Sequence, residues 1–397
     1  MAVVFARRMD NLDDSDTREI LKLTERPEVI SFAGGLPAPE LFPVEELKKV
    51  SEAVLEEGGI QALQYSTTQG YLPLRQKIAE RMNSKFYTKV NHENIIITSG
   101  SQQGLDFTAK LFLNEGDIVL CESPTYLGAI SAFKAYRPDL IEVPTDAYGI
   151  IPEELEKILS SKNNVKFIYV IPDFQNPTGK TWSVERRRKF MEIVNKYEIP
   201  VLEDNPYGEL RYDGQIPPSI KSMDEKGLVI FLGTFSKIFC PGLRIGWVAA
   251  QKELIDKYAT VKSCSDVHTS NMGQREIVKF MEMYDIEENI ERIKFLYRAR
   301  RDSMIKTMEE EFPKEAKFTY PEGGLFTWVE LPQNINARDV LIKSLENNVA
   351  FVPGGAFYPN GGNENSFRLN FSNMSEDRIT KGIKRLGRVL KEYLCNI

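Results

Sequence analysis

Histidine is nearly missing from this chain, with two in 397 residues, His92 and His268. A zinc cluster or a Ser/His/Asp relay would have to be built around one of them. Neither has suitable company: His92 lies in KVNHENIII, ahead of a strand-like run, and His268 in the polar stretch SDVHTSNMG. Cysteine is equally sparse. Cys121, Cys240, Cys264 and Cys395 are far apart with no C-x-x-C pair, which suggests neither a disulfide framework nor a zinc site and reads as reduced thiols. No metal centre is expected. Positive charge is not in excess, the net being −6 at pH 7, so there is no basic surface for nucleic acid. No run approaches the roughly 18 apolar residues of a membrane span. The opening MAVVFARRMDNLDD lacks the longer apolar region and cleavage pattern of a signal peptide. The chain reads as cytoplasmic, with neither membrane nor nucleic acid as a partner.

What is present matches a folded enzyme: 42% hydrophobic, 27% charged and 10% aromatic residues. The length allows two domains with large cores. Seven apolar runs read as strands: NIIITS (94–99), DIVLCE (117–122), LIEVP (140–144), KFIYVI (166–171), PVLED (200–204), LVIFLG (228–233) and RIGWVAA (244–250). Helical patterns separate most of them, as in WSVERRRKFMEIVNKYE (182–198). Strands alternating with helices imply an α/β fold with a mainly parallel sheet covered on both faces. The last two runs are joined by too short a link for a helical crossover, so the seventh strand is expected to be antiparallel. A long charged helix starts near residue 285, and a smaller α+β segment follows. It ends in a helix with Ser375 as N-cap and Ile379, Ile383, Leu386, Leu390 and Leu394 on one stripe. The expected division is an N-terminal arm and helix (1–45), packed on the small domain and on a partner subunit, a large domain (46–285) and a small C-terminal domain (286–397).

Ligands of open α/β sheets sit beyond the carboxyl ends of the strands. There the chain places SGSQQGLD, which opens a helix whose free amides can bind phosphate, then SPTY with Tyr126, PDFQNPTG with Asn176, EDNPY with Asp204 and Tyr207, and GTFSK. The stretch GTFSKIFCPGLRIG puts Lys237 among apolar neighbours and near Arg244. A lysine there must snorkel, be paired, or be neutral part of the time, and a neutral amine attacks aldehydes. Together these side chains suit a flat, phosphorylated, heteroaromatic aldehyde, which is the description of pyridoxal 5'-phosphate (PLP).

With TREILKL, SFAGGLPAPELFP, LQYS, TSGSQQGLD, FQNPTG, GTFSKIFCPGLRIGW and VPGGAFYPNGG, the chain resembles a fold-type I PLP-dependent aminotransferase of class I/II. It is most similar to the 2-aminoadipate/kynurenine aminotransferase branch. The resemblance implies that Lys237 forms the Schiff base with PLP and moves the Cα proton, and that Asp204 pairs with the pyridine nitrogen. It gives Tyr126 the ring face, Asn176 and Tyr207 the ring hydroxylate, and Ser101, Gln102, Thr234, Ser236 and Arg244 the phosphate. Arg368 becomes the clamp for the substrate α-carboxylate. Gly35, Tyr65 and Asn176 become substrate contacts, with Tyr65 reaching in from the second subunit of a homodimer. Arg18 either meets the far carboxylate of an acidic substrate or is a solvated helix charge. The implied reaction moves the amino group of an L-amino acid, with 2-aminoadipate, glutamate, leucine-type, aromatic and kynurenine donors as candidates, to a 2-oxo acid such as 2-oxoglutarate. Another PLP-dependent reaction (lyase, decarboxylase or racemase) and a non-catalytic regulator remain as alternatives.

Overall fold

The computed structural model describes residues 3–11 and 28–395. Its main sheet holds β1 (Ile95–Thr98), β2 (Ile118–Ser123), β3 (Asp139–Asp146), β4 (Gly149–Ile150), β5 (Val165–Val170), β6 (Val201–Asp204), β7 (Val229–Thr234) and β8 (Gly246–Ala249). Their order across the sheet is β1-β8-β7-β6-β5-β2-β3-β4. The seven expected strands are all present, and β4 is an additional two-residue hairpin partner at the edge. β8 runs antiparallel to both β1 and β7, as the short link required, while β7, β6, β5, β2 and β3 are parallel to one another. The central strands β5, β6 and β7 are buried on both faces, which is why these segments read as continuous Val/Ile/Leu runs instead of alternating ones.

Helices cover the sheet and are placed by local chemistry. The helix Val184–Tyr197 starts at Ser183, whose hydroxyl accepts the Arg186 N–H at 3.1 Å, and it buries Phe190, Met191, Ile193 and Val194. The long helix Ile286–Glu311 is capped by Asp285. Its Tyr297 hydroxyl accepts the Ala38 N–H at 2.9 Å, which ties down the Gly/Pro loop around residues 33–40.

The second sheet is antiparallel: β9 (Lys317–Phe318), β10 (Phe326–Glu330), β11 (Val352–Pro353) and β12 (Ser366–Asn370), in the order β9-β10-β12-β11. On β12, Phe367 and Leu369 are fully buried on one face while Arg368 points to the other, as the alternation of a strand dictates. The last helix, Glu376–Cys395, has its Arg378 N–H donated to the Ser375 hydroxyl at 3.4 Å, and its stripe of Ile379, Ile383, Leu386 and Leu390 is buried. Ile30–Ser31 pairs in parallel with Val349–Ala350, so the segment ahead of loop 33–36 is stitched to the C-terminal part of the chain.

Candidate active site

The carboxyl ends of the parallel strands open on a cavity of about 350 Å³ bounded by loop 33–36, by the first turn of the helix Ser101–Phe112, and by β11 and β12. Backbone chemistry shapes that helix start. Gly100, with φ 80°, precedes the helix, and no side chain caps it. A Cβ at Gly100 would lie 2.4 Å from Nη2 of Arg244, and one at Gly246 would lie 2.7 Å from the Ser101 nitrogen. Glycine at both positions therefore lets β8 and the Arg244 guanidinium press against the open amide end of the helix. Arg244 itself holds a left-handed φ of 56°, which costs a non-glycine residue about 1 kcal/mol or more, and its Nη2 donates to Ser99 O at 3.4 Å. A cation beside the positive end of a helix is unfavourable unless an anion lies between them, so this corner is built for one.

Around that corner, the Thr234 hydroxyl donates to the Ser236 hydroxyl at 2.9 Å, which leaves the Ser236 O–H free to donate in turn. Gln102 spends its side-chain amide on Gly128 O at 2.7 Å. It therefore offers an anion its backbone N–H, as does Ser101. Tyr126 donates to Gln102 Oε1 at 3.5 Å, and its ring forms part of the cavity wall.

Asp204 ends β6 at the floor. One carboxylate oxygen, Oδ2, accepts the Tyr169 O–H at 2.9 Å, whereas Oδ1 is buried without a partner among the described residues. Burial raises this carboxyl to about 7, against the lowering effect of the Tyr169 bond. Tyr207, in the loop just after the strand, is buried, and its phenol is pushed up by that burial and takes the Asn176 side-chain N–H at 3.4 Å.

Lys237 crosses the cavity and donates to Gly35 O at 2.9 Å. Its amine is lowered to about 8, first by desolvation, then by Arg368 and by Arg244. The sequence had suggested Arg244 as the neighbouring cation, and Arg368 is the stronger of the two. Arg368 donates from Nη1 to Asn176 Oδ1 at 2.8 Å and from Nη2 to Ala33 O at 2.6 Å, between the rings of Phe326 (4.2 Å) and Phe357 (5.0 Å). No carboxylate among the described residues pairs with it, its Nε has no partner, and burial lowers it to about 10. A desolvated guanidinium without a counter-ion is a receptor for a carboxylate.

Of the residues picked out in the sequence, Gly35, Ser101, Gln102, Tyr126, Asn176, Asp204, Tyr207, Thr234, Ser236, Lys237, Arg244 and Arg368 all line this cavity. Tyr65 does not. It is exposed, with its ring edge-on to His268 at 5.8 Å. Arg18 and the TREILKL segment lie outside the described residues. Cys240 is buried, and its thiol is pushed up to about 12, so it brings no charge to the site. Among the described residues no His/Cys/Asp/Glu cluster can hold a metal ion. Phe326, Phe357 and Tyr169 were missed. Nothing near the two phenylalanines signals a cation contact. Tyr169 did carry a signal, since a lone hydroxyl in the apolar run KFIYVI must find a partner once buried.

The arrangement fits the cofactor the resemblance implies at each of its ends. The helix start with Arg244 and Ser236 suits a phosphate, the bare Oδ1 of Asp204 suits a protonated ring nitrogen, and Lys237 suits an aldehyde.

Comparison with known proteins agrees. Residues 33–386 match the family model for aminotransferase class I and II. Aromatic-amino-acid aminotransferase 1 of Thermococcus litoralis is 44% identical over 98% of this chain and 94% of that protein. A kynurenine aminotransferase from Pyrococcus horikoshii, solved in complex with PMP, is 42% identical, with a TM-score of 0.94 over 98% of this chain and 97% of that one. An alpha-aminoadipate aminotransferase from Thermus thermophilus, complexed with N-(5'-phosphopyridoxyl)-L-leucine, is 39% identical, with a TM-score of 0.92 over 99% and 98%.

Proposed function

We infer, from the premise that this chain belongs to the class I and II aminotransferase family, that its cavity holds PLP and serves donors with apolar or aromatic side chains as well as acidic ones. The protein is an aminotransferase and moves an amino group from an amino acid to a 2-oxo acid. The observation that carries the finer reading is the bare Oδ1 of Asp204 in the same cavity as Lys237, whose amine is neutral over much of the range near pH 8.

When bound, the cofactor supplies an aldehyde that receives the amino group and a ring that draws electrons from the substrate Cα. Ser236, Arg244 and the amides at Ser101 and Gln102 hold its phosphate. Asp204 keeps the ring nitrogen protonated, Asn176 and Tyr207 hydrogen-bond the ring hydroxyl, and Tyr126 covers the ring face. Arg368 grips the substrate α-carboxylate with two N–H groups. The free Lys237 Nζ then takes the proton from Cα and returns it, a role that a lowered amine pKa suits. The phosphate, ring and carboxylate contacts together fix the Cα–H bond relative to Lys237, which favours proton movement over loss of other groups and argues against a lyase or decarboxylase.

Leu36, Leu127, Val352 and Phe326 give the rest of the wall an apolar character. Among the described residues, the cations lining the cavity are Lys237, Arg244 and Arg368, all assigned above. The far carboxylate of 2-aminoadipate or glutamate therefore needs a cation from elsewhere, and Arg18 is our candidate. The exposed side chains of Ile60, Leu63 and Tyr65 support a homodimer in which Tyr65 enters the partner's cavity. The arm (1–45), large-domain (46–285) and small-domain (286–397) division is part of the same reading, as is a cytoplasmic setting. No helix among the described residues is long and apolar enough to cross a membrane.

A donor panel with 2-oxoglutarate as acceptor tests this. Leucine, aromatic amino acids, kynurenine and 2-aminoadipate should each yield the corresponding 2-oxo acid. Arg18→Ala should reduce kcat/KM about tenfold or more for 2-aminoadipate and leave leucine nearly unchanged. Equal losses on both donors would remove Arg18 from the site.

The pH dependence has a definite sign. Because the Lys237 amine is lowered, its neutral fraction, and with it the rate at which cofactor-free protein captures the aldehyde, should rise with pH and level off above about 8. An unperturbed lysine would keep rising to about 10.4. Arg368→Gln removes a like charge and should move the rise to higher pH. Stopped-flow absorbance would record both, and a rise centred at the ordinary lysine value would refute the assignment.

A further inference from the structure

Tyr169 lies on β5 one strand away from Asp204, wholly buried, with its ring edge-on to Phe133 at 5.4 Å. Its O–H is the one donor to Asp204's side chain among the described residues. A carboxylate on a single bond from Cβ can turn, and a neutral carboxyl can present either oxygen. The Tyr169 bond removes that freedom by occupying Oδ2, and it leaves Oδ1, in a wall of the cavity, without a partner among the described residues. A buried acceptor without a donor is costly, so the fold holds Oδ1 ready for a donor brought by whatever enters the cavity.

We propose that Tyr169 is a positioning residue for the cofactor: its hydroxyl locks Asp204 so that Oδ1 is presented to the protonated ring nitrogen, and by donating to Oδ2 it keeps the carboxylate ionised and the proton on the ring. The effect has two parts. Presentation of Oδ1 adds to cofactor affinity. Partial neutralisation of Oδ2 lowers the basicity of Asp204 and holds the proton on the nitrogen, where it increases electron withdrawal from the substrate Cα. Tyr126 and Tyr207 also approach Asp204, but neither donates to it, and burial keeps both phenols neutral, so neither can replace Tyr169. The inference rests on the placement of the ring nitrogen at Asp204, and the experiment separates the two.

Holoenzyme is prepared as the parent, Asp204→Asn, Tyr169→Phe and the double variant. PLP dissociation is followed by absorbance and ultrafiltration, with steady-state kinetics and apoprotein melting measured alongside. Tyr169→Phe should weaken PLP binding roughly tenfold and lower kcat with little change in donor KM. In the Asp204→Asn background the same substitution should add almost nothing. Phe133→Leu, which loosens the ring's packing but leaves the hydroxyl, should lower the melting temperature and leave PLP affinity alone. Unchanged PLP affinity and kcat in Tyr169→Phe, or an equal further loss in the Asp204→Asn background, would overturn the proposal. Unchanged affinity in Asp204→Asn would overturn the ring-nitrogen placement as well. If the phenylalanine variant does not fold, Tyr169→His, which retains a ring donor, decides instead. Affinity within about threefold of the parent supports the role, and a loss as large as that of Asp204→Asn refutes it.

Discussion

Lys237→Ala should abolish turnover with every donor, by roughly 10⁴-fold or more, the upper range of a single general acid–base contribution. Two functions depend on one nitrogen. The Nζ that donates to Gly35 O is in reach of a carbonyl carbon entering the cavity, and desolvation together with Arg368 and Arg244 makes it neutral near pH 8. Alanine keeps the helical and strand neighbours in place but leaves no free base among the described cavity residues to take a proton from Cα, since the acid there, Asp204, is committed at the floor. Cofactor retention should fall less steeply than turnover, because the phosphate corner and Asp204 remain. Borohydride reduction of the parent should leave a pyridoxyl group on the peptide containing Lys237, and the variant should carry none. A variant with substantial activity, or a parent adduct on another lysine, would disprove the assignment.

Arg368→Ala should depress kcat/KM for all amino acids together. Two charge-assisted bonds at about 1.5–3 kcal/mol each correspond to a fall of roughly 10²- to 10⁴-fold. The size follows from the surroundings: a guanidinium held between Phe326 and Phe357, buried and with no carboxylate partner among the described residues, gains most when a carboxylate arrives. Arg368→Lys keeps the charge but not the planar fork, and it should recover only a minor part of the loss. Because the α-carboxylate is common to every donor, leucine and 2-aminoadipate should suffer alike, in contrast to the selective effect expected of Arg18→Ala. A loss confined to one donor class would show that Arg368 reads the side chain instead.

The strands were readable because parallel strands buried on both faces are written as short unbroken apolar runs, and KFIYVI and LVIFLG follow that grammar with ends shifted by a residue. The antiparallel direction of β8 followed from the length of a link. The two-residue β4 was not visible, since Gly149 and Ile150 are too few to make a pattern. Asn176, Asp204, Tyr207 and Lys237 could be named in advance because each follows a strand and such strand ends share one rim. Even so, only one of the two cations acting on Lys237 was readable in advance. Arg244 is seven residues away, whereas Arg368 comes from the far end of the chain and has no sequence proximity to reveal it.

The chemical identity of the groups, the spacing of the runs and the direction of the strands are properties of local sequence, where sterics and burial act over a few residues. Which oxygen of Asp204 is left bare, which carbonyl receives Lys237 and which rings enclose Arg368 are set by contacts between segments separated by up to 335 positions, as in the bond from Arg368 to Ala33. Those contacts exist only when the two sheets and loop 33–36 have closed around the cavity, because the donor directions and desolvation that give them force are made by packing.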